Sequence, residues 1–387
     1  MKIAVFHNLP FGGARRVMVE QINRLGGAVC GVYTLGGESD PGFGRELPVH
    51  RFPFARARLL GRPFGRVNGA IRIADLMRLT CQSRRVASAI DDEGCDVVFV
   101  HNCAISQTPP VLRFLRTRAV YYCQEPFRAM LEAPLGGGLL LPAGDPLRRM
   151  YARCVVANEL RGLKGARVVL ANSWFSRESI LRYYGVDSVV NYLGVDHSVF
   201  SPQPVEKRRL VLSVGRLSPE KGHSFVIESV GLIPHNERPN VGIVCGLPDV
   251  QSRMDLERTA AANGVRVEFF TNISDSELSE LYSCALCTAA APILEPFGLT
   301  PLESMACATP VVGVAEGGIR ESVTDGVTGF LTQRDRREFA DCIRRLVADP
   351  KLAARMGAAG RDCAVARWNW DRSIAQLERI LSEAARS

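Results

Sequence analysis

Ala285-Leu286-Cys287-Thr288-Ala289-Ala290-Ala291-Pro292-Ile293-Leu294-Glu295-Pro296-Phe297-Gly298-Leu299-Thr300-Pro301-Leu302-Glu303 is the stretch whose reading decides the fold. Its first part, Ala285 to Pro292, is apolar without alternation, the pattern of a strand covered on both faces. Gly298 supplies a turn, and a helix is expected from about Thr300. A helix N-terminus favours an anion through its exposed amides and its dipole. Glu295, at the strand end, and Glu303, one turn into the helix, flank that spot. Carboxylates there are poor phosphate ligands but good acceptors for hydroxyl donors, which suggests a sugar on one side and a ribose on the other. Thr300-Pro301-Leu302-Glu303 also reads as a capping box, with Thr at N-cap, Pro at N1 and Glu at N3. Spacing leaves both readings of Glu303 open, whereas Glu295 precedes Pro296 and caps nothing.

The same strand-then-helix unit recurs outward in both directions. Strands are expected at residues 2–7, 28–34, 95–101, 119–123, 167–172 and 188–192, then at 210–216, 241–245, 265–270, 285–291 and 310–314. Helical patterns lie between them, at 16–25, 84–91, 176–184, 224–232 and 277–284. Near-continuous apolar strands alternating with helices mean a parallel sheet with helices on both faces. Two such series meet near Gly194-Val195-Asp196, so the expected architecture is α/β, two Rossmann-like doubly wound domains facing across a cleft. The expected division is 1–194, 195–366 and 367–387, the last a helix returning toward the N-terminal domain. Ala133-Pro134-Leu135-Gly136-Gly137-Gly138-Leu139-Leu140-Leu141-Pro142 interrupts the rhythm and reads as a lid or a membrane-contacting loop.

Bulk composition sets limits. With 387 residues, 47% hydrophobic and 23% charged, the chain can form two globular domains, each with its own core. No apolar stretch is long enough to span a bilayer, and the N-terminal run is too short for a signal peptide. The expected location is cytoplasmic. Most of the twelve cysteines fall in apolar runs and read as buried thiols. Cys284 and Cys287 make a single C-x-x-C with no second pair, read as a helix end followed by a core strand. The net charge is +8, and nine arginines lie between Arg51 and Arg85 against one acid, Asp75. Phenylalanines and leucines are interleaved with them. The segment suits an anionic membrane surface at the inner face or a phosphorylated acceptor, or else is a solvated helix face. No nucleic-acid-binding pattern is present.

Several polar clusters fall at strand ends, where ligands bind in such sheets. Arg216 and Lys221 flank a Ser-Pro turn directly after the strand at 210–214, and two converging cations suit a diphosphate. The alternative for them is pairing with surface acids such as Glu220. Gly12-Gly13 follow the first strand and allow close approach to backbone amides, but no Gly-x-Gly-x-x-Gly occurs, which speaks against a dinucleotide dehydrogenase. His7 and His101 are each expected to end a strand. There is no Asp-x-Asp and no His, Asp or Glu cluster with metal spacing, so no metal and no cofactor are expected.

Gly215-Arg216-Leu217, Lys221-Gly222, the Glu-x7-Glu block, Met305-Ala306-Cys307-Ala308-Thr309-Pro310-Val311-Val312 and Gly317-Gly318-Ile319-Arg320-Glu321 together resemble the retaining glycosyltransferases of family four, the "group 1" type with the GT-B fold. Ala171-Asn172-Ser173, Phe175-Ser176 and Gly194-Val195-Asp196 look like that family's hinge-region motifs. The resemblance implies that Arg216 and Lys221 hold the donor diphosphate and that Glu295 binds the donor sugar and stabilises an oxocarbenium-like transition state. It also implies that Phe297, Gly298, Leu299 and Thr300 line the donor site, the last three through backbone contacts, and that Glu303 takes the ribose hydroxyls. Gly12 and Gly13 would approach the donor on closure, and the base would lie near Gly246, Asn272 and Ile273. Three departures stand out. Gln124, in Tyr122-Cys123-Gln124-Glu125-Pro126, replaces the family's frequent His and cannot carry charge. Arg15 stands where an acid is usual and adds charge at the cleft mouth, and Ala308 replaces a Gly.

The reading is therefore a retaining, metal-independent glycosyltransferase moving a hexose from a nucleotide-diphosphate sugar to a glycan, lipid-linked or small-molecule acceptor. The acceptor is expected near His101, Gln124 and the basic segment, with Glu295, His101 and Gln124 as the catalytic set. The alternatives are a GT-B epimerase or phosphorylase, and a non-catalytic sugar-nucleotide-binding scaffold.

Overall fold

Largely apolar runs of two to seven residues build two separate parallel sheets in the computed structural model, which describes residues 1–36, 43, 46–61, 64–126, 146–247 and 249–386. The expected loop at 133–142 lies outside the described residues. In the first unit the chain runs β1 (Ile3–Asn8), α1 (Gly13–Leu25), β2 (Val29–Leu35), β3 (Val49–Phe52), α2 (Asn68–Asp92), β4 (Val97–Cys103), β5 (Ala119–Cys123), α3 (Pro146–Leu163), β6 (Val168–Ala171), α4 (Trp174–Tyr184) and β7 (Val189–Val190). These strands pair in the order β3-β2-β1-β4-β5-β6-β7, and every pair is parallel.

The second unit repeats the scheme with β8 (Leu210–Val214), α5 (His223–Gly231), β9 (Asn240–Cys245), α6 (Val250–Ala262), β10 (Val267–Thr271), α7 (Asp275–Cys284), β11 (Cys287–Ala290), α8 (Leu299–Ala306), β12 (Val311–Val314), α9 (Ile319–Ser322), β13 (Gly329–Thr332), α10 (Arg336–Ala348) and α11 (Pro350–Arg367). Its order is β10-β9-β8-β11-β12-β13, again parallel throughout. The final helix, α12 (Trp370–Arg386), starts in the second unit and ends in the first. The compact units are Met1–Asn191 with Ile374–Ser387, and Tyr192–Ser373. Within the first unit Gln376 donates to the Val190 carbonyl at 2.9 Å, fastening α12 to the sheet edge.

Burial follows from this layering. Strand side chains such as Val98, Val100 and Tyr121 form one core with Leu79, Val86 and Ile90 of α2. Val211, Ile243 and Val312 form the other with Val226, Ile227 and Phe339. In each sheet the strand order reverses once, between β1 and β4 and between β8 and β11. The loops leaving such a pair diverge to opposite faces and open a crevice at the carboxyl ends.

Four expectations need correction. β3 and β13 were not foreseen, because β3 carries His50 and Arg51 among its four residues and β13 opens on a glycine. The helix expected at 84–91 is the last third of a 25-residue helix that begins at Asn68. Its buried Ile73, Leu76, Leu79, Val86 and Ile90 recur at helical spacing beneath the arginines. The strand at 285–292 is shorter, Cys287–Ala290, so Glu295 stands on a loop beyond it. His101 does not end its strand, since β4 continues to Cys103.

Candidate functional site

The reversal in the second sheet brings together the loops after β8 and β11, which carry Arg216, Lys221 and Glu295. Lys221 Nζ lies 2.8 Å from Glu295 Oε2, with both side chains 24% exposed. A half-buried pair of that kind is bathed by water on one side and holds only weakly, so a ligand can exchange into it. Arg216 does not join them. Its guanidinium is 3.5 Å from Glu220 and extends into solvent. Ser218 donates to the same Glu220 oxygen, and the nearby Arg216 and Lys221 charges help hold its carboxyl below the usual range against the opposing effect of burial.

Local backbone geometry explains the glycines. Gly222 has φ +75, and a Cβ there would stand 2.0 Å from the Ala291 carbonyl oxygen. Gly317 has φ +60, and its Cβ would meet the Glu295 carbonyl oxygen at 2.2 Å. The β11–α8 loop is therefore gripped from both sides. His223 steadies the cation loop from below: one ring nitrogen is 3.0 Å from the Arg216 carbonyl, and the other is 2.8 Å from Ser213 Oγ. Burial lowers its pKa. The neutral ring thus donates to the carbonyl and accepts from Ser213.

Helix α8 corrects the capping-box reading. Its N-cap is Gly298, with φ 88, and no side chain caps it. Thr300 is the second helical residue, because the positive φ of Gly298 starts the helix earlier than the Thr-Pro signal implied. Glu303 is consequently no capping residue. It is 4% exposed and accepts from the Tyr282 hydroxyl at 2.9 Å. The first-turn amides of Leu299 and Thr300 are left without a side-chain cap, next to Glu295 and Lys221, and suit an anion. Phe297 is 1% exposed, its ring packed 5.7 Å from Tyr192 and 5.6 Å from Trp368. Its side chain belongs to the core. Gly246 and the pair Asn272 and Ile273 follow β9 and β10, where Asn272 takes φ 53 and donates to the Cys245 carbonyl at 3.0 Å. They stand side by side at neighbouring strand ends.

In the first unit the expected site residues are placed differently. Gly12, with φ 145, caps α1, and a Cβ there would meet nothing within 4 Å. Gln124 Nε2 donates to the Ala14 carbonyl at 3.1 Å, so its side chain holds the first turn of α1. Asn102, which no motif includes, and Asn172, from the hinge-region motif, fix Gln124 through its backbone amide at 2.9 Å and its carbonyl at 2.9 Å. His101 is fully buried between Phe99 and Tyr122, and neither ring nitrogen has a hydrogen-bond partner among the described residues. Burial pushes its pKa well below the usual value, with a smaller contribution from His7. His7 falls to about 3, through burial and then the charge of Arg15. Arg15 is itself buried, at 5% exposure, rather than at an open mouth, with its guanidinium 4.3 Å from the Phe11 ring centroid.

Among the described residues no three His, Cys, Asp or Glu side chains gather as a metal site. Cys284 ends α7 and Cys287 opens β11, and burial raises both thiols, Cys287 to about 12. All twelve cysteines are free. In the basic segment, Asp75 is buried and gathers Arg72 at 2.8 Å, Arg78 at 3.4 Å and the Ala57 amide at 3.1 Å. Part of that charge is thus spent inside the fold. No described helix is long and apolar enough to cross a membrane.

With this geometry in place, relatives can be compared. The profile of the family described as glycosyl transferases group 1 matches residues 196–362. An alpha-maltose-1-phosphate synthase of Mycobacterium tuberculosis is 32% identical over 286 residues, covering 64% of this chain and 67% of that protein. The human alpha-1,3/1,6-mannosyltransferase ALG2 is 27% identical over 410 residues, covering 97% of this chain and 94% of that protein. The chain belongs to the glycosyl transferases group 1 family. Its fold is matched by Anabaena HepE, solved with UDP and glucose, at a TM-score of 0.75, 21% identity and 99% coverage of both chains. WaaG, a glycosyltransferase involved in lipopolysaccharide biosynthesis, matches at a TM-score of 0.69 and 17% identity, covering 98% of this chain and 99% of that one. Two Rossmann-like parallel-sheet domains of the GT-B type are the architecture of this glycosyltransferase, as the motifs implied.

Proposed function

We propose that this glycosyltransferase moves a hexose from a nucleotide-diphosphate sugar to a glycan, lipid-linked or small-molecule acceptor, with retention of anomeric configuration and without a metal. The observation that carries the reading is the Lys221–Glu295 pair at 2.8 Å, beside the uncapped first turn of α8. A departing diphosphate needs positive charge and amide donors fixed before it leaves. Lys221, the solvent-directed Arg216 and the amides of Leu299 and Thr300 supply them from protein groups alone. Glu295, relieved of Lys221 when the diphosphate binds, accepts donor-sugar hydroxyls and faces the cationic charge that develops at the anomeric carbon. Glu303, oriented by Tyr282, takes ribose hydroxyls, and the base rests at Gly246, Asn272 and Ile273. No general base is assigned, since a donor phosphate oxygen can take the acceptor proton on the same face of the sugar. A relative in Mycolicibacterium smegmatis is named a GDP-mannose-dependent mannosyltransferase, and HepE was solved with UDP-glucose, so GDP-mannose and UDP-glucose are the donors to try first.

The acceptor is placed on the first unit, beside residues 51–85. There exposed Phe64, Val67 and Met77 accompany the exposed Arg56, Arg58 and Arg85, a combination suited to peripheral contact with an anionic bilayer. Vesicle flotation with and without anionic lipid tests that contact, and equal recovery from neutral vesicles would refute it. For the reaction, a thermal-shift screen of UDP-, GDP-, ADP- and dTDP-sugars selects the donor. Proton NMR of the product then reads the anomeric configuration in the presence of EDTA. Transfer with retained configuration at an undiminished rate is expected. Inversion, metal dependence, or turnover only with free phosphate would overturn the proposal.

A further inference from the structure

Glu295 stands on a loop of eight residues, 291–298, whose shape decides where its carboxylate points. Leu294, immediately before it, has φ 49. A leucine takes that conformation only where its surroundings impose it. Three groups impose it here. The Ile293 amide donates to the Glu220 carbonyl at 2.8 Å, and the Gly318 amide donates to the Glu295 carbonyl at 2.8 Å. The third group is Arg334, two residues beyond the end of β13. Because β11, β12 and β13 are neighbours in the sheet, their carboxyl ends lie in a row and one long side chain can span them.

Arg334 does so with four hydrogen bonds. Nη1 donates to the Ala291 carbonyl at 3.0 Å and Nη2 to the Pro292 carbonyl at 2.8 Å. Nε and Nη2 grip the two oxygens of Glu316 at 2.8 and 2.7 Å. Glu316 leads directly into Gly317 and Gly318, the residues pressed against Glu295. The guanidinium therefore ties the start of the Glu295 loop to the loop that holds its end, and Phe225 lies under it at 5.5 Å.

We propose that Arg334, braced by Glu316, is a positioning residue for Glu295, fixing the strained loop so that the carboxylate is aimed before substrate arrives. The inference rests on the proposed function for what Glu295 does, but its geometry stands on the fold. Lysine cannot replace the arginine, since an ammonium has no planar fork and cannot meet two carbonyls on one loop and both oxygens of a carboxylate on another. Neither residue belongs to the motifs that mark the donor site, and nothing in their spacing joins them. Only the sheet order does.

The test compares wild type with Arg334→Lys, Glu316→Gln and the double variant. It uses UDP-glucose and GDP-mannose as donors, calorimetric titration with UDP and GDP, and hydrogen exchange at residues 293–298. Arg334→Lys is expected to lower kcat about 10- to 100-fold, the scale of a small misplacement of a catalytic group. Nucleotide Kd should stay within about twofold, because the diphosphate and ribose contacts lie on other residues. Amides 293–298 should exchange faster while β8 and β9 keep their protection. Glu316→Gln should fall between, and the double variant should be no worse than Arg334→Lys. An unchanged kcat in Arg334→Lys would overturn the inference, and so would a loss of nucleotide affinity that matches the loss of rate, which would make Arg334 a donor ligand. If wild type turns over neither donor, the functional reading fails separately. Unchanged exchange at 293–298 in Arg334→Lys would then refute the positioning role itself.

Discussion

Near the carboxyl ends of β1, β4 and β5, the polar side chains His7, His101 and Gln124 are turned inward and kept neutral. At the corresponding ends of β8 and β11 they are charged and reach water. His7, His101 and Gln124 are each at most 6% exposed, whereas Lys221 and Glu295 are each 24% exposed and paired. Both sheets are parallel, doubly wound and reverse strand order once. Architecture therefore supplies the crevice, and side-chain burial decides what it can do. In the first unit the strand-end residues spend their hydrogen bonds on the protein: Gln124 on the Ala14 carbonyl, Asn172 on Gln124, Asn102 on the Glu125 carbonyl. In the second the cations and carboxylate are held loosely enough to be traded for a ligand. Charge-based chemistry is accordingly assigned to the second unit.

Removing a charge from the second unit should have the largest effect. Lys221→Ala is expected to cut kcat about 10²- to 10³-fold, the cost of losing one preorganised donor to a developing anion. Steady-state kinetics with saturating donor reads it, and a loss under threefold would break the contrast. Next is Gly317→Ala, which combines a positive φ with a Cβ 2.2 Å from the Glu295 carbonyl oxygen. It should destabilise the second unit by at least about 2 kcal/mol in urea unfolding. A neutral result there would show that the loop is not held as described.

Two pH-dependent effects probe the neutral interior of the first unit. Glu159 on α3 is buried, accepts from the Thr108 amide at 2.9 Å, and is pushed up to about 8 by burial. With the folded pKa above the unfolded one, its stabilisation is complete below pH 4.5 and is lost as pH rises toward 8. Glu159→Gln should therefore remove a slope of about 1.4 kcal/mol per pH unit across that window and leave stability near pH 4.5 little changed. His101 carries the opposite sign. Its pKa is lowered in the fold, so the unfolded chain takes up the proton first and stability falls as pH drops below about 6.5. His101→Phe should make that acid limb shallower, leaving the share that His7 contributes, and above pH 7 it should alter stability by less than about 1 kcal/mol. Urea titrations at stepped pH check both. A strong loss of transfer in His101→Phe at pH 7 would restore the histidine to the chemistry and erase the contrast.

Much of this organisation was legible from residue order. Apolar runs placed eleven of the thirteen strands among the described residues, because buried parallel strands have no polar alternation to disguise them. The short β3 and β13 escaped, one led by a valine before His50 and Arg51, the other by a glycine. The strand-end rule put Lys221 and Glu295 in one pocket, although it set Glu295 at the end of its strand rather than on the loop beyond. Burial was what spacing could not show. His101, Arg15 and Phe297 each look like site residues in one dimension, yet packing from distant strands and helices encloses all three. The capping box failed for a related reason: the Thr-Pro signal is local, whereas Gly298, pinned beside Glu295, starts the helix earlier. Arg334 and Glu316 lie outside every motif because the row of strand ends they join exists only in the folded sheet.

The most direct test of the account is the transfer rate of Glu295→Gln measured together with its affinity for the donor nucleotide. Gln keeps the shape and one acceptor while removing the charge opposite Lys221 and the anomeric centre. The expected result is a kcat lowered about 10²-fold or more, with the Kd for UDP or GDP changed less than about threefold. Wild-type kcat in Glu295→Gln, with intact nucleotide binding, would contradict it.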